Sequence, residues 1–501
     1  MQVLRGGSEK LPLKSTTWIP RSLIHPVCFA ARPASIAAIV CFLFSGTVRA
    51  GDLHFPENFV FGVATAPAQS EDCLDDIWTD WGKSGGIRAY LNQAAPEKRA
   101  ASWSRPEPDL LLLDQLGVQG VRLGLDWGRI EPAPGRFDED AILKYRSLLQ
   151  RVKAGGHKIM LTLSHHSVPK WVQEKGGWKN PETVGDFFEF SKRILREFHS
   201  VVDWWITFNE PQIFTLFAYQ AGIWPPGERG GILSFLDLPF YQGSGIRVVN
   251  HMIDAHKRIY DFARRHFPSI RMGIAQNVAD YRGATFIGGM LAPRVDSFMN
   301  WTFLDGIRGS MDFVGLNYYG AEWLGATGIE ILPEEEYSEA GRAVFPQGLL
   351  RILRESRSRY PLPIMITENG IADSTDWIRP LYLAEHLAAV HRGIKEGIPI
   401  QGYFHWTLSD NLEWSDGYCP RFGLVEVDRN RNLERIPRKS FHFYREIVRS
   451  RTLSGKDRVG AWQEYQKHRG GTRPFCRAKN GRDALDSPEP RIIPGKDWRL
   501  Q

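Results

Sequence analysis

A closed (β/α)8 barrel of class α/β, with large loop insertions, is the fold this sequence predicts, on three observations. Eight short runs are rich in β-branched and aromatic residues and nearly free of charge. They read as strands of a parallel sheet, apolar on both faces because helices cover both. Between them lie longer stretches with apolar residues at i, i+3, i+4 and i+7, the spacing of one helix face. The chain has 501 residues, 43% apolar and 24% charged, the composition of a globular protein. Barrels of this class absorb about 250 residues or more as one domain.

In chain order the predicted strands are "FVFGVATA" (59–66), "GVRLGLDW" (120–127), "IMLTLSHH" (159–166), "DWWITFNE" (203–210), "RMGIAQN" (271–277), "DFVGLNYYG" (312–320), "PIMITENG" (363–370) and "QGYFHWTL" (401–408). The helical spacing is clearest over 183–199, where Val184, Phe187, Ile194, Leu195 and Phe198 share one face and Arg193 and Arg196 turn away. It returns over 378–397, which ends at Gly397, a common helix stop. No internal repeat is present.

Residues 51–460 form the predicted catalytic barrel, flanked by a targeting or membrane-anchor segment (1–50) and a basic C-terminal tail (461–501). Residues 1–50 carry six Lys/Arg against one Glu, and residues 461–501 carry nine against five Asp/Glu, so the total of +6 leaves −3 for the barrel. A mildly acidic body with basic ends argues against nucleic-acid binding and suits a membrane surface. In the first segment an apolar stretch, "ASIAAIVCFLFSGTV" (34–48), is fifteen residues long, short of the about 20 that span a bilayer. It fits a signal peptide cut after Ala50, which leads to the secretory pathway, a plastid transit region or an uncleaved anchor. The five cysteines, Cys28, Cys41, Cys73, Cys419 and Cys476, are scattered. Their spacing fits neither a metal site nor a disulfide framework, so most are expected to be reduced.

In such barrels polar residues at the carboxyl ends of strands point into the active-site mouth. That rule selects Gln69, Arg122, His165, His166, Asn209, Glu210, Asn317, Tyr319, Glu368, Asn369 and Trp406, with Glu413 and Trp414 in the loop beyond strand 8. Two carboxylates stand at the tips of strands 4 and 7, across the barrel from each other. A facing pair roughly 5 to 5.5 Å apart is what a retaining glycosidase uses. Glu210 follows Trp204, Trp205 and Phe208 and precedes Phe214; burial among aromatics raises a carboxyl pKa, as a general acid requires. Glu368 has Arg122 and Tyr319 as partners that favour the anion, as a nucleophile requires. Adjacent strand residues point to opposite faces, so His165 is expected to hydrogen-bond and His166 to pack, not to form a metal pair. No metal set or cofactor motif stands out.

The motifs "TFNEP" (207–211), "ITENG" (366–370), "DFVGLNYYG" (312–320) and "DNLEWSDGYCPRFGL" (410–424) resemble the signatures of family 1 glycoside hydrolases, β-glucosidases and β-galactosidases of barrel fold. The resemblance covers about residues 54–450. It implies Glu210 as acid/base and Glu368 as nucleophile. It also implies Gln69, His165, Asn209, Trp406, Glu413 and Trp414 as the sugar-binding set, and Arg122, Asn317 and Tyr319 as the shell that orients the nucleophile. The chain departs from the usual pattern at "HHSVP" (165–169), where the family reads H-W-D-x-P, and at "ATAPAQSEDCLDDIW" (64–78). With "NEPQIFTLFAYQAGIWPPG" (209–227) and "EEYSEAGRAVFPQGLLRIL" (335–353), these stretches are similar to a plant branch named for sensitivity to freezing. Its members are galactolipid:galactolipid galactosyltransferases of the chloroplast outer envelope. That likeness implies galactose transfer between galactolipids, from monogalactosyldiacylglycerol to oligogalactolipids plus diacylglycerol, at a membrane surface. A hydrolase acting on soluble glycosides and a non-catalytic sugar- or lipid-binding protein are the alternatives.

Overall fold

The computed structural model describes residues 51–501 except 88–89, 91–92, 232–236, 239–240, 472, 474, 477–496 and 501. The targeting segment 1–50 lies outside the described residues, as does most of "GGILSFLDLPFY" (230–241), the apolar loop after strand 4 that the sequence offers as a face for a bilayer.

Eight strands close into a barrel: β1 (Val60–Ala64), β2 (Gly120–Gly124), β3 (Lys158–Ser164), β4 (Trp204–Asn209), β5 (Met272–Gly283), β6 (Val314–Leu324), β7 (Ile364–Asn369) and β8 (Ile400–Trp406). Each pairs in parallel with its sequence neighbour, and β8 returns to β1. The apolar runs of the sequence correspond to these strands because each is sandwiched. One face joins a barrel-interior cluster containing Val60, Met160, Trp204, Ile206, Met365 and Phe404. The other packs on the helices. Helix Glu182–Phe198 buries Val184, Phe187, Phe190, Ile194, Leu195 and Phe198, as its periodicity predicts.

β5 and β6 outrun the barrel. They stay paired from Asp280–Ala321 to Gly283–Leu324, and β6 then folds back on Ile329–Glu330. Helix α1 (Phe286–Asp296) starts directly beyond, capped by the Thr285 hydroxyl, which accepts from the Gly288 amide at 3.1 Å. Gly288 is required by close approach: a Cβ there would stand 1.7 Å from the Leu324 carbonyl oxygen. The outer face of α1 carries Phe286, Ile287 and Met290, 85%, 51% and 57% exposed. No helix among the described residues is long and apolar enough to cross a membrane.

The tail is more tightly held than its composition suggests. The expected boundary at residue 460 falls inside one continuous helix, α2 (Gly455–His468). Beyond it Arg473 is buried against Glu336 at 3.0 Å and Trp498 is buried against Tyr465. The expectation of reduced cysteines fails at one pair: Cys419 and Cys476 form a disulfide. They are 57 positions apart, so no local spacing announces them; the fold brings the loop after β8 and the tail together.

Candidate active site

The polar residues at the strand ends converge on one cavity of about 300 Å³. At its floor Arg122 is fully buried, and every direction of its guanidinium is used. Nη2 donates to Asn209 Oδ1 at 2.7 Å, Nε to Thr162 Oγ1 at 3.2 Å, and Nη1 to Glu368 Oε1. The Tyr319 hydroxyl donates to the other oxygen of Glu368. Both oxygens of this carboxyl are therefore fixed by groups anchored on β2 and β6.

Glu210 is positioned differently. It follows β4 with a left-handed φ of 44°, which breaks the strand and turns the side chain into the cavity. Its Oε1 accepts from Asn277 Nδ2 at 3.0 Å and Asn317 Nδ2 at 2.8 Å, and Asn317 also donates to Asn209 at 3.0 Å. Since Asn209 Oδ1 accepts from both Arg122 and Asn317, its amide nitrogen faces the histidines. It donates to Nε2 of His165 at 3.0 Å and lies 3.2 Å from Nε2 of His166. Glu210, Asn209, Asn317, Arg122 and Glu368 thus form one connected network.

His166 corrects an expectation. β3 ends at Ser164, and His166 has a φ of 59°, so strand alternation no longer applies and both imidazoles face the cavity. His166 lies over Phe214, ring centroids 5.8 Å apart and nearly parallel, with Nε2 3.8 Å from Glu210 Oε2. Burial lowers the pKa of both histidines.

The electrostatics of the pocket also run opposite to expectation. Burial raises Glu368 to about 7, reinforced by the charge on Glu210 and outweighing the pull of Arg122. Burial also pushes Glu210 up, but His166, Asn277 and Asn317 outweigh it and hold that carboxyl below its ordinary value. The aromatic neighbours in sequence are not neighbours in space: Phe208 packs outward on Trp178 and Phe187, and Trp204 lies over Lys158 at the start of β3. Only Phe214 reaches the cavity's surroundings, through His166.

The remaining predicted residues line the same cavity. Gln69 donates to the Leu412 carbonyl at 2.9 Å and leaves Oε1 without a protein partner. Glu413 accepts from Trp406 Nε1 at 3.3 Å, and burial holds its carboxyl well above the usual range. Trp414 has a φ of 51° and stacks toward Trp78, centroids 4.6 Å apart. Sequence reasoning missed Asn277, although it ends the predicted run "RMGIAQN" and meets the same strand-end rule. It also missed Tyr281 and Glu322 in the outer wall, because β5 and β6 run past their predicted ends, and Arg342, which a loop after β6 carries to the same wall through the Ala321–Ala343 bridge.

The profile described as Glycosyl hydrolase family 1 matches residues 52–285 and 301–453. Among curated proteins, the chain is 36% identical to "Galactolipid galactosyltransferase SFR2, chloroplastic" of Arabidopsis thaliana, over 89% of this chain and 82% of that protein. It is 37% identical to "Beta-glucosidase-like SFR2, chloroplastic" of Oryza sativa subsp. japonica, over 89% and 83%. Among solved structures, a beta-glycosidase from Pyrococcus horikoshii superposes with a TM-score of 0.72 at 30% identity, covering 82% of this chain and 98% of its own.

Proposed function

Because the chain belongs to glycosyl hydrolase family 1 and has that family's (β/α)8 enzyme fold, we propose that it is a retaining β-glycosyl transferase moving galactose between galactolipids. The observation that carries this reading is the likeness over 89% of the chain to a galactolipid galactosyltransferase. The two carboxyls in one cavity supply the chemistry.

Glu368, with both oxygens oriented by Arg122 and Tyr319, attacks the anomeric carbon. The glycosidic bond breaks as Glu210 gives its proton to the departing oxygen of diacylglycerol. A galactosyl ester on Glu368 results. In the second half a hydroxyl of another galactolipid headgroup gives its proton to Glu210 while its oxygen takes the anomeric carbon from Glu368. Gln69, His165, Asn209, Trp406, Glu413 and Trp414 hold the donor sugar.

The starting state is a pair of carboxyls sharing one proton. At rest the proton sits on Glu368, the less acidic member; the reactive arrangement is the tautomer with the proton on Glu210. The outer cavity is apolar on one side, with Leu216, Phe217 and Ile223, as a lipid-linked substrate requires. The exposed apolar face of α1 next to the mouth supports a seat on a bilayer. The plastid names of the relatives support a chloroplast location, and within it we propose the outer envelope.

Incubation with membranes containing monogalactosyldiacylglycerol tests the reading. Oligogalactolipids and diacylglycerol are the expected products. Free galactose without oligogalactolipids would leave an ordinary β-glycosidase.

A further inference from the structure

The stretch "EEYSEAGRAVFPQGLLRIL" contributes Ala340 and Arg342 to the cavity, and Arg342 has a buried partner. Arg342 Nη1 meets Glu322 Oε1 at 3.0 Å, with the side chains 16% and 5% exposed. Both line the cavity with Tyr281, whose Cα is paired with that of Glu322 across β5 and β6. Arg342 is held in register by an antiparallel bridge between Ala321 and Ala343, N–O distances 3.0 and 3.3 Å. Gly320 permits this approach, since a Cβ there would stand 2.0 Å from the Ala343 carbonyl oxygen.

The pair lies one ring away from the reacting carboxyl. The Arg342 guanidinium stands 5.8 Å from the centre of the Tyr319 ring, whose hydroxyl holds Glu368. Glu322 Oε2 is buried and has no hydrogen-bond partner. A buried carboxylate oxygen left unpaired is destabilising, so such a group on a cavity wall calls for a ligand donor. A sugar hydroxyl supplies one: it donates to Oε2 and can accept from the adjacent guanidinium, both charge-assisted bonds. The donor-sugar set comes from other elements: Gln69 beyond β1, His165 beyond β3, Asn209 on β4, Trp406 on β8, and Glu413 and Trp414 in the loop that follows.

We propose that Glu322 and Arg342, with Tyr281 beside them, form the binding site for the acceptor hexose, a neutral sugar presented by a second glycolipid headgroup or glycoside. This rests on the reading of the cavity as a glycosyl-transfer site. The acceptor hydroxyl gives its proton to Glu210, its oxygen bonds to the anomeric carbon, and the bond from that carbon to Glu368 breaks. A hexose held on the ion pair occupies the volume from which water would attack, which favours transfer over hydrolysis.

The test uses the full chain with an aryl β-galactoside as donor and methyl β-galactoside as added acceptor, measuring disaccharide formed relative to free galactose. In the wild type this ratio is expected to rise with acceptor and saturate. Glu322→Gln, which keeps the volume, and Arg342→Lys, which keeps the charge, are each expected to raise the half-saturating acceptor concentration tenfold or more. Either variant reads the site if the other does not fold. A merely structural pair would lower turnover and melting temperature together and leave that concentration within twofold of wild type, which overturns the proposal. A wild-type ratio that does not saturate overturns it as well. Saturation with the soluble acceptor but no oligogalactolipid from membranes would uphold the subsite and sink the lipid reading.

Discussion

His166 Nε2 stands 3.8 Å from Glu210 Oε2, on an imidazole held by Asn209 and lying over Phe214. His166 lowers the pKa of Glu210, so a side chain that cannot hydrogen-bond removes that pull. In His166→Phe the Glu210 pKa rises, and the acidic limb of kcat/KM is expected to move to higher pH by about half a unit or more. An unchanged acidic limb would make the imidazole a packing residue.

A singly protonated pair is the active form, so kcat/KM is bell-shaped in pH. The first proton leaves the Glu210 side at low pH, and the second leaves Glu368 at about 7; the alkaline limb therefore falls near 7. The Tyr319 hydrogen bond lowers Glu368. Tyr319→Phe thus moves that limb upward, and it reduces kcat by about tenfold or more because the carboxylate loses one of its two anchors. Stopped assays from pH 4 to 9 read both effects.

The order and type of the barrel strands were legible because each is buried on both faces and its apolar run needs no partner to be recognised. The strand-end rule then found Arg122, Asn209, Glu210, Asn317, Tyr319 and Glu368. It also selected Asn369, whose amide instead donates to the Tyr318 carbonyl and the Tyr382 hydroxyl, and it missed Tyr281 and Glu322, because β5 and β6 extend past their apolar runs. The alternation rule failed at His166, which turns inward on a left-handed φ. The electrostatic expectation failed for another reason. Trp204 and Phe208 are close to Glu210 in sequence but pack elsewhere, while His166, Asn277 and Asn317 arrive from other strands. The disulfide was hidden by its long loop.

The Cys419–Cys476 disulfide ties the tail to the loop that continues from Glu413 and Trp414 into Pro420 and Phe422 of the cavity wall. Closing a loop of this length stabilises the fold by about 4 kcal/mol through the unfolded chain. Cys476→Ser, or reduction with dithiothreitol, is expected to lower the melting temperature by several degrees and weaken donor binding. Equal melting temperatures for the oxidised and reduced protein would count against this.

The exposed residues of α1 are placed to enter a bilayer. Burying one large apolar side chain yields about 1.5 to 3 kcal/mol, so Phe286→Ser combined with Met290→Ser should weaken vesicle binding at least about tenfold. Neither residue lines the cavity, and hydrolysis of a soluble aryl galactoside should stay near wild type. Flotation with galactolipid vesicles gives the first number, and phenol release the second.

The double displacement through Glu368 is tested most directly by covalent trapping. Incubation with a 2-deoxy-2-fluoro-β-galactoside carrying a good leaving group slows the second half-reaction, and mass spectrometry of the digested protein locates the sugar. One fluorogalactosyl ester is expected on the peptide containing "ITENG", at Glu368, absent in Glu368→Gln. An adduct on another residue, or turnover with inverted configuration and no adduct, would contradict it.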